Sequence, residues 1–339
     1  MSNTAHNVWS QTLSRTRLGG WVMIGSIGAL VAVASVQAEP VYLYPVEVNE
    51  RWGYIDAEGD KMIDAQFDAA YAFSDGLARV KKNEEYHFID STGAVQLSGT
   101  WNEVGNFSEG LAAAQLEEDE GFGYIDRDGT FVIEPTFRQA YHFAEGLAAV
   151  DVEEPGAPSG EFAFIDTSGA VVIPGPFNGA RHFSEGLAPV LTGGFVFGEW
   201  GFINKEGEWV IEAQFDDALS FADGYAPVEE DDNWTFVNRD GETWEDTNWA
   251  LARPFDNGLA PVEHDGFGMR DMWYYVDQDG NEQFRRRFAY AEPFVGPLAR
   301  VALETTGQGS SHTGGEVAFR ARTPVWAYIN RDGRIVWQP

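Results

Sequence analysis

Trp52-Gly53-Tyr54-Ile55-Asp56-Ala57-Glu58-Gly59 decides the fold of this chain, because it returns near the other end as Trp326-Ala327-Tyr328-Ile329-Asn330-Arg331-Asp332-Gly333. Between them the same phrase recurs with aromatics two apart: Tyr86/Phe88, Phe122/Tyr124, Phe162/Phe164, Trp200/Phe202, Trp234/Phe236 and Trp273/Tyr275. A spacing of two puts both rings on one face of a β-strand. Each phrase then runs into an Asx-x-x-Gly turn. The Asx side chain accepts backbone bonds from residues further on, and the Gly takes a positive φ without steric cost. The turn glycines are 59, 93, 129, 169, 207, 241, 280 and 333, and they define eight units, numbered 1–8 here.

Each unit is predicted as a three-stranded antiparallel meander. A short strand ends in Val or its equivalent (Val46, Val80, Val150, Val190, Val228, Val262, Val301), and unit 3 departs slightly with Ala113-Ala114-Gln115. The aromatic strand follows, and then a third strand such as Phe131-Val132-Ile133 or Trp209-Val210-Ile211. Units are joined by a connector Phe-x-x-Gly-Leu-Ala, seen at 73–78, 107–112, 143–148, 183–188 and 255–260. It reads as a buried Phe and a tight turn. One meander cannot hide its aromatic face, so neighbours must stack.

Unequal spacing between turn glycines locates insertions at Glu153–Gly160, Thr192–Glu199, Glu263–Met272 and Glu304–Pro324, all between the first two strands of their units. Insertions at one place per repeat gather along one edge of the array, which is where repeat proteins bind. Phe195, Phe197, Phe267 and Met269 lie in these loops and are the candidate binding residues. They either anchor a ligand or fold back over the array edge.

The remaining constellations favour structural roles. Asp126/Asp128 and Asp277/Asp279 resemble the start of a calcium loop, but the twelfth positions are Phe137 and Phe288 rather than Glu. His142 and His182 occupy matching places in adjacent units, with no third metal ligand in register. Glu109, Glu145, Glu185, Asp75 and Asp223 recur before the connector Gly, and repetition in unit after unit points to a turn role. No nucleophile–base pairing is evident, so no catalytic residue, metal site or cofactor is assigned.

The chain has 339 residues, 44% of them hydrophobic, and no cysteine, which excludes disulfides and thiolate chemistry. Residues 1–38 read as a secretory signal peptide: Arg15 and Arg17, an apolar stretch from Leu18 to Val36, and cleavage after Val36-Gln37-Ala38. The 19-residue apolar stretch leaves an uncleaved anchor as the alternative. Either puts the repeats outside the cytoplasm, in the periplasm or beyond the cell. Residues 39–339 form the repeat domain and keep all 54 acidic but only 20 of the 22 basic side chains, a net charge of −34. Such a surface repels nucleic acid and anionic lipid.

These residues resemble the WG-repeat family of bacterial proteins, whose motif is roughly Gly-Leu-Ala-x-Val, a loop, Trp-Gly-Tyr-Ile-Asp-x-x-Gly and Val-Ile-x-Pro-x-Phe. Trp200–Gly207 with Val210-Ile211 matches it, as does Gly123–Gly129 with Val132–Phe137. The resemblance covers about residues 41–339. His87, Ala163, Thr235, Tyr274 and Ala327 replace the Gly of the Trp-Gly pair in five units. The family implies a structural repeat and no common activity.

Two all-β architectures are compatible with this pattern. An open β superhelix of eight meanders is preferred, because no split unit fastens a ring and three strands are fewer than a propeller blade usually has. A closed eight-bladed propeller is the alternative. The expected function is that of a monomeric, non-catalytic binding or scaffold module for a protein, peptide or glycan, with a cell-envelope hydrolase or metal-dependent enzyme as the other reading.

Overall fold

The computed structural model describes residues 42–118, 120–152, 161–194, 197–264, 272–303 and 324–339. Residues 42–339 belong to one compact unit. The described elements are strands in antiparallel meanders, and no sheet closes on itself. All eight predicted turns form: each turn Gly donates its amide N–H to the Asx carbonyl, from Gly59 to Asp56 (3.2 Å) through to Gly333 and Asn330 (2.9 Å). The signal and anchor expectations for residues 1–38 fall outside the described residues.

Unit 5 shows the full pattern. Gly179–Ala180, Ala188–Thr192, Glu199–Ile203 and Trp209–Phe215 follow one another as four hydrogen-bonded neighbours. The expected count of three strands is therefore corrected to four in most units. In units 3–6 and 8 the extra strand is two residues of connector, such as Gln139–Ala140 or Gly179–Ala180, too short for its alternation to register in the sequence, and it is longer in unit 2 (Ala69–Ser74) and unit 7 (Trp249–Ala252). Unit 1 has three described strands: Tyr44–Val48, Arg51–Ile55 and Lys61–Phe67. Unit 6 lacks a regular last strand. There Trp234 pairs directly with Trp249 of unit 7, fusing the two units into one seven-stranded sheet.

The Gly of the Trp-Gly pair has a physical cause. A Cβ on Gly53, Gly123 or Gly201 would come within 2.4–2.6 Å of the backbone of the adjacent strand, which is bulged at that point. Unit 2 carries His87 there, and its pairing stays regular from Tyr86↔Gly99 to Phe88↔Leu97. The shift between the two aromatics is absent there, which makes room for the side chain, whereas units 4 and 7 keep it beside Ala163 and Tyr274.

The core is shared between units, as stacking requires. The second aromatic of a strand packs on the connector Phe of the next unit: Tyr54–Phe73, Phe88–Phe107, Tyr124–Phe143, Phe164–Phe183, Phe202–Phe221, Phe236–Phe255 and Tyr275–Phe294, with centroids 4.6–5.1 Å apart. Tilted and edge-on pairs of this kind add about 0.5–1.5 kcal/mol each to the gain from burial. In unit 8 the matching ring, Tyr328, meets Tyr44 of unit 1 at 5.3 Å.

Among the described residues, buried apolar side chains form eight clusters, each spanning one junction between units. Eight units stacked openly have seven junctions. The eighth joins Tyr44, Val46 and Ile55 of unit 1 to Leu298 and Tyr328 of unit 8. Tyr328 donates its phenol O–H to the Pro45 carbonyl (2.9 Å), and Tyr44 donates to the Val295 carbonyl (2.7 Å). The open superhelix is corrected accordingly: the row of sheets returns to its start. No split unit is needed, because the last junction is made by side-chain packing like the other seven.

Candidate functional site

The connector turn and its junction come first, because they recur. In unit 3, Ser108 and Leu111 exchange backbone bonds around Glu109 (φ 55°) and Gly110 (φ 83°), a two-residue turn with both central residues left-handed. A Glu with positive φ is unfavourable. Its carboxylate compensates by accepting the Gly146 N–H of unit 4 at 2.9 Å. The same bond links Asp75 to Gly110, Glu145 to Gly186, Glu185 to Gly224 and Asp223 to Gly258.

A second strap crosses five of the junctions. The residue after the turn Asx reaches back to the preceding unit's left-handed residue: Arg127 to the Asp75 carbonyl, Lys205 to Glu145, Arg239 to Glu185, Gln278 to Asp223 and Arg331 to Asn257. Burial pushes the Glu145 carboxyl up, but its bonds from Lys205 and Gly186 outweigh that and hold it below the ordinary value. The repeated carboxylates thus latch neighbouring units together.

The turn aspartates are likewise consumed. Asp126 accepts the N–H groups of Asp128 (3.0 Å) and Thr130 (3.0 Å), and Asp277 those of Asp279 (3.0 Å) and Asn281 (2.9 Å).

His142 and His182 do come together, with ring centroids 4.7 Å apart. Burial, then the neighbouring His142 and Arg181, lower His182 to about 4, and burial also lowers His142. Two neutral imidazoles stack without repulsion. No group of three metal-ligating side chains occurs among the described residues.

Of the four loop residues, Phe197 is 90% exposed and does not fold back over the array. Phe195, Phe267 and Met269 lie outside the described residues.

The short-strand edge breaks the repeat's symmetry at one place. Two residues before each connector Phe stand Tyr71, Gly105, Tyr141, Arg181, Leu219, Arg253 and Glu292 in units 2–8. Six residues after that Phe stand Arg79, Ala113, Ala149, Pro189, Pro227, Pro261 and Arg300. Unit 3 alone puts Gly at the first position while also carrying Ala at the second. A cavity of about 640 Å³ opens there, walled by Arg79 and Tyr86 of unit 2, Glu103 and Gln115 of unit 3, and Arg138 and Tyr141 of unit 4. A second cavity of about 320 Å³ shares Arg79, Gly105, Ala113 and Tyr141 and adds Asn106 and His142. Both sizes are in the range of small-molecule pockets.

Arginines along this edge lie on aromatic faces: Arg79 over Tyr71 (3.7 Å), Arg181 over Trp200 (4.7 Å), Arg253 over Trp273 (5.1 Å) and Arg300 over Trp326 (4.0 Å). The Arg79 guanidinium also donates to the Val104 carbonyl across the junction. A third cavity, about 620 Å³, lies by Trp244, Asp246, Trp249, His264 and Tyr274, where unit 6 lacks its last strand. Sequence reasoning looked to the loops for binding residues and overlooked this edge. The signal was the pairing of Gly105 with Ala113 against larger side chains elsewhere.

A family model described as "WG containing repeat" matches residues 52–86, 88–118, 122–154, 162–194, 200–234 and 234–266. No curated protein matches the chain. Among solved structures, the chain is similar to a eukaryotic initiation factor, at 11% identity and TM-score 0.53 with 91% of each chain covered. It is also similar to Porphyromonas gingivalis dipeptidyl peptidase 4, at 10% identity and TM-score 0.56, covering 88% of this chain and 58% of that one. At such identities the likeness concerns the fold alone.

Proposed function

The chain belongs to the WG-repeat family, and on that premise we propose that it is a non-catalytic binding or scaffold module for a protein, peptide or glycan, built as a closed eight-bladed propeller. The observation that carries this reading is the fate of the repeated polar groups. The recurring carboxylates and turn aspartates are engaged in turns and junction latches. What is left to meet a ligand is a loop edge with an exposed Phe197 and the asymmetric short-strand edge around unit 3.

Export supports the same reading. The basic, apolar and small-residue succession within residues 1–38 directs the repeat domain to the periplasm or outside the cell. There the negative surface keeps a monomer soluble and away from nucleic acid and anionic lipid.

Immobilised residues 39–339 are expected to capture a defined partner from an envelope extract at physiological salt. Turnover in a panel of peptidase, esterase and glycosidase substrates, lost on denaturation of the protein, would overturn the non-catalytic reading. Failure to retain any protein or glycan would overturn the binding role.

A further inference from the structure

We propose that the unit 3 cavity is a specific site for a small hydroxylated carboxylate of the sugar-acid class, held by Arg79 and Asn106 with Tyr86 and Tyr141 supplying ring faces. The site deepens the binding-module reading and rests on it.

The argument starts from unsatisfied atoms. Buried polar groups normally find partners. Among the described residues, three buried side-chain atoms have none: Arg79 Nε, Asn106 Oδ1 and Arg253 Nε. The first two belong to residues lining the same cavity. One is a donor on a cation, and the other is an acceptor. Both atoms are closed to water, so a ligand with a carboxylate for Arg79 and a hydroxyl for Asn106 answers both once the two side chains turn toward the cavity.

The ring faces narrow the class. Tyr86 is half-buried, Tyr141 is 43% exposed, and both border the larger cavity, so a pyranose has flat apolar surface to lie against. Glu103 is exposed on the same wall and is an acceptor for further hydroxyls.

Charge sets the size. A domain of net charge −34 repels a polyanion, whereas one carboxylate is met locally by Arg79 and Arg138, which stands by Asp151. A monosaccharide acid or a single terminal residue is therefore favoured over an acidic polymer. Gly105 keeps the site open. A Cβ there meets nothing closer than 3.6 Å, so larger side chains can be introduced without backbone clash and project into the space.

The test uses the protein carrying residues 39–339, titrated with sodium glucuronate, glucose and sodium acetate by calorimetry and saturation-transfer NMR. Glucuronate is expected to bind at least tenfold more tightly than either control, since glucose lacks the carboxylate and acetate the ring. Gly105→Tyr is expected to abolish glucuronate binding while leaving the thermal midpoint within a few degrees of the parent. Arg79→Gln, should the first variant misfold, is expected to bring glucuronate down to the level of glucose.

Equal binding of all three probes, no binding of glucuronate by the folded parent, or undiminished binding by folded Gly105→Tyr would each overturn the site. A parent that captures an envelope partner yet ignores glucuronate loses this inference and keeps the binding role. A parent that binds glucuronate and captures nothing supports the site alone.

Discussion

The phenol of Tyr328 donates to the carbonyl of Pro45, 283 residues away in the chain. The equivalent bonds elsewhere are local: Tyr54 to Tyr71, Tyr124 to Tyr141 and Tyr275 to Glu292, each 17 residues on and in the next unit. For Tyr328 the acceptor lies in unit 1, which takes the place of the next unit. Removing the hydroxyl in Tyr328→Phe leaves ring packing intact and strands a carbonyl. The expected cost is about 1 kcal/mol, read as a fall of roughly 2–4 °C in the thermal midpoint. Tyr44→Phe removes both the bond to Val295 and the one accepted from Leu298 N–H, and should cost more.

Glu145 tests the junction latch. Its left-handed backbone (φ 55°) favours Gly, whereas its carboxylate bonds favour Glu. Glu145→Ala loses the bonds and keeps the strain, for an expected loss of about 1–2 kcal/mol in a urea titration. Glu145→Gly loses the bonds but relieves the strain, so it should fall between Ala and the parent.

Acid should loosen the structure in two stages. His182 is neutral in the folded protein down to about 4, against an ordinary value of 6.5. The unfolded chain therefore binds more protons as pH falls through that window. Stability present above pH 6.5 declines toward pH 4, by up to about 3 kcal/mol for this group. Below that, Glu145 and the turn carboxyls of Asp90, Asp166 and Asp277, all held low, lose their contribution as they protonate. Thermal midpoints of His182→Asn should change less between pH 7 and pH 5 than those of the parent. An equal change in both would contradict this assignment.

Gly201→Val should be far worse than a surface substitution. Its Cβ would fall 2.6 Å from the Ala213 nitrogen, inside the bulge. Several kcal/mol of destabilisation or loss of soluble protein is expected. Phe197→Ser, on a side chain 90% exposed, should leave the midpoint unchanged and weaken partner capture.

Period-two rings and Asx–Gly turns were legible in the sequence because each depends on one or two side chains acting locally. Trp200/Phe202 and Asn204–Gly207 need no partner to be recognised. The fourth strand was not, since Gly179–Ala180 carries no alternation and exists only through pairing with Leu191 and Val190. Closure was hidden as well. Tyr44 and Tyr328 look like ordinary strand residues until the number of stacked units brings them face to face. The repeated acids were read correctly as turn residues, but their bonds to the next unit's Gly N–H depend on stacking geometry. The unit 3 cavity escaped because an absence of side chains, at Gly105 and Ala113, shows only against the aligned units.

Ring closure is tested most directly by distance. The chain has no cysteine, so Glu58→Cys with Gln338→Cys gives two unique spin-label sites, one in unit 1 and one in unit 8. Adjacent packed sheets are about 10 Å apart, whereas eight sheets stacked openly separate their ends by roughly 70 Å. Pulsed electron–electron resonance should return a narrow distribution at the short end of that range. A long or broad distribution in the folded protein would contradict the ring.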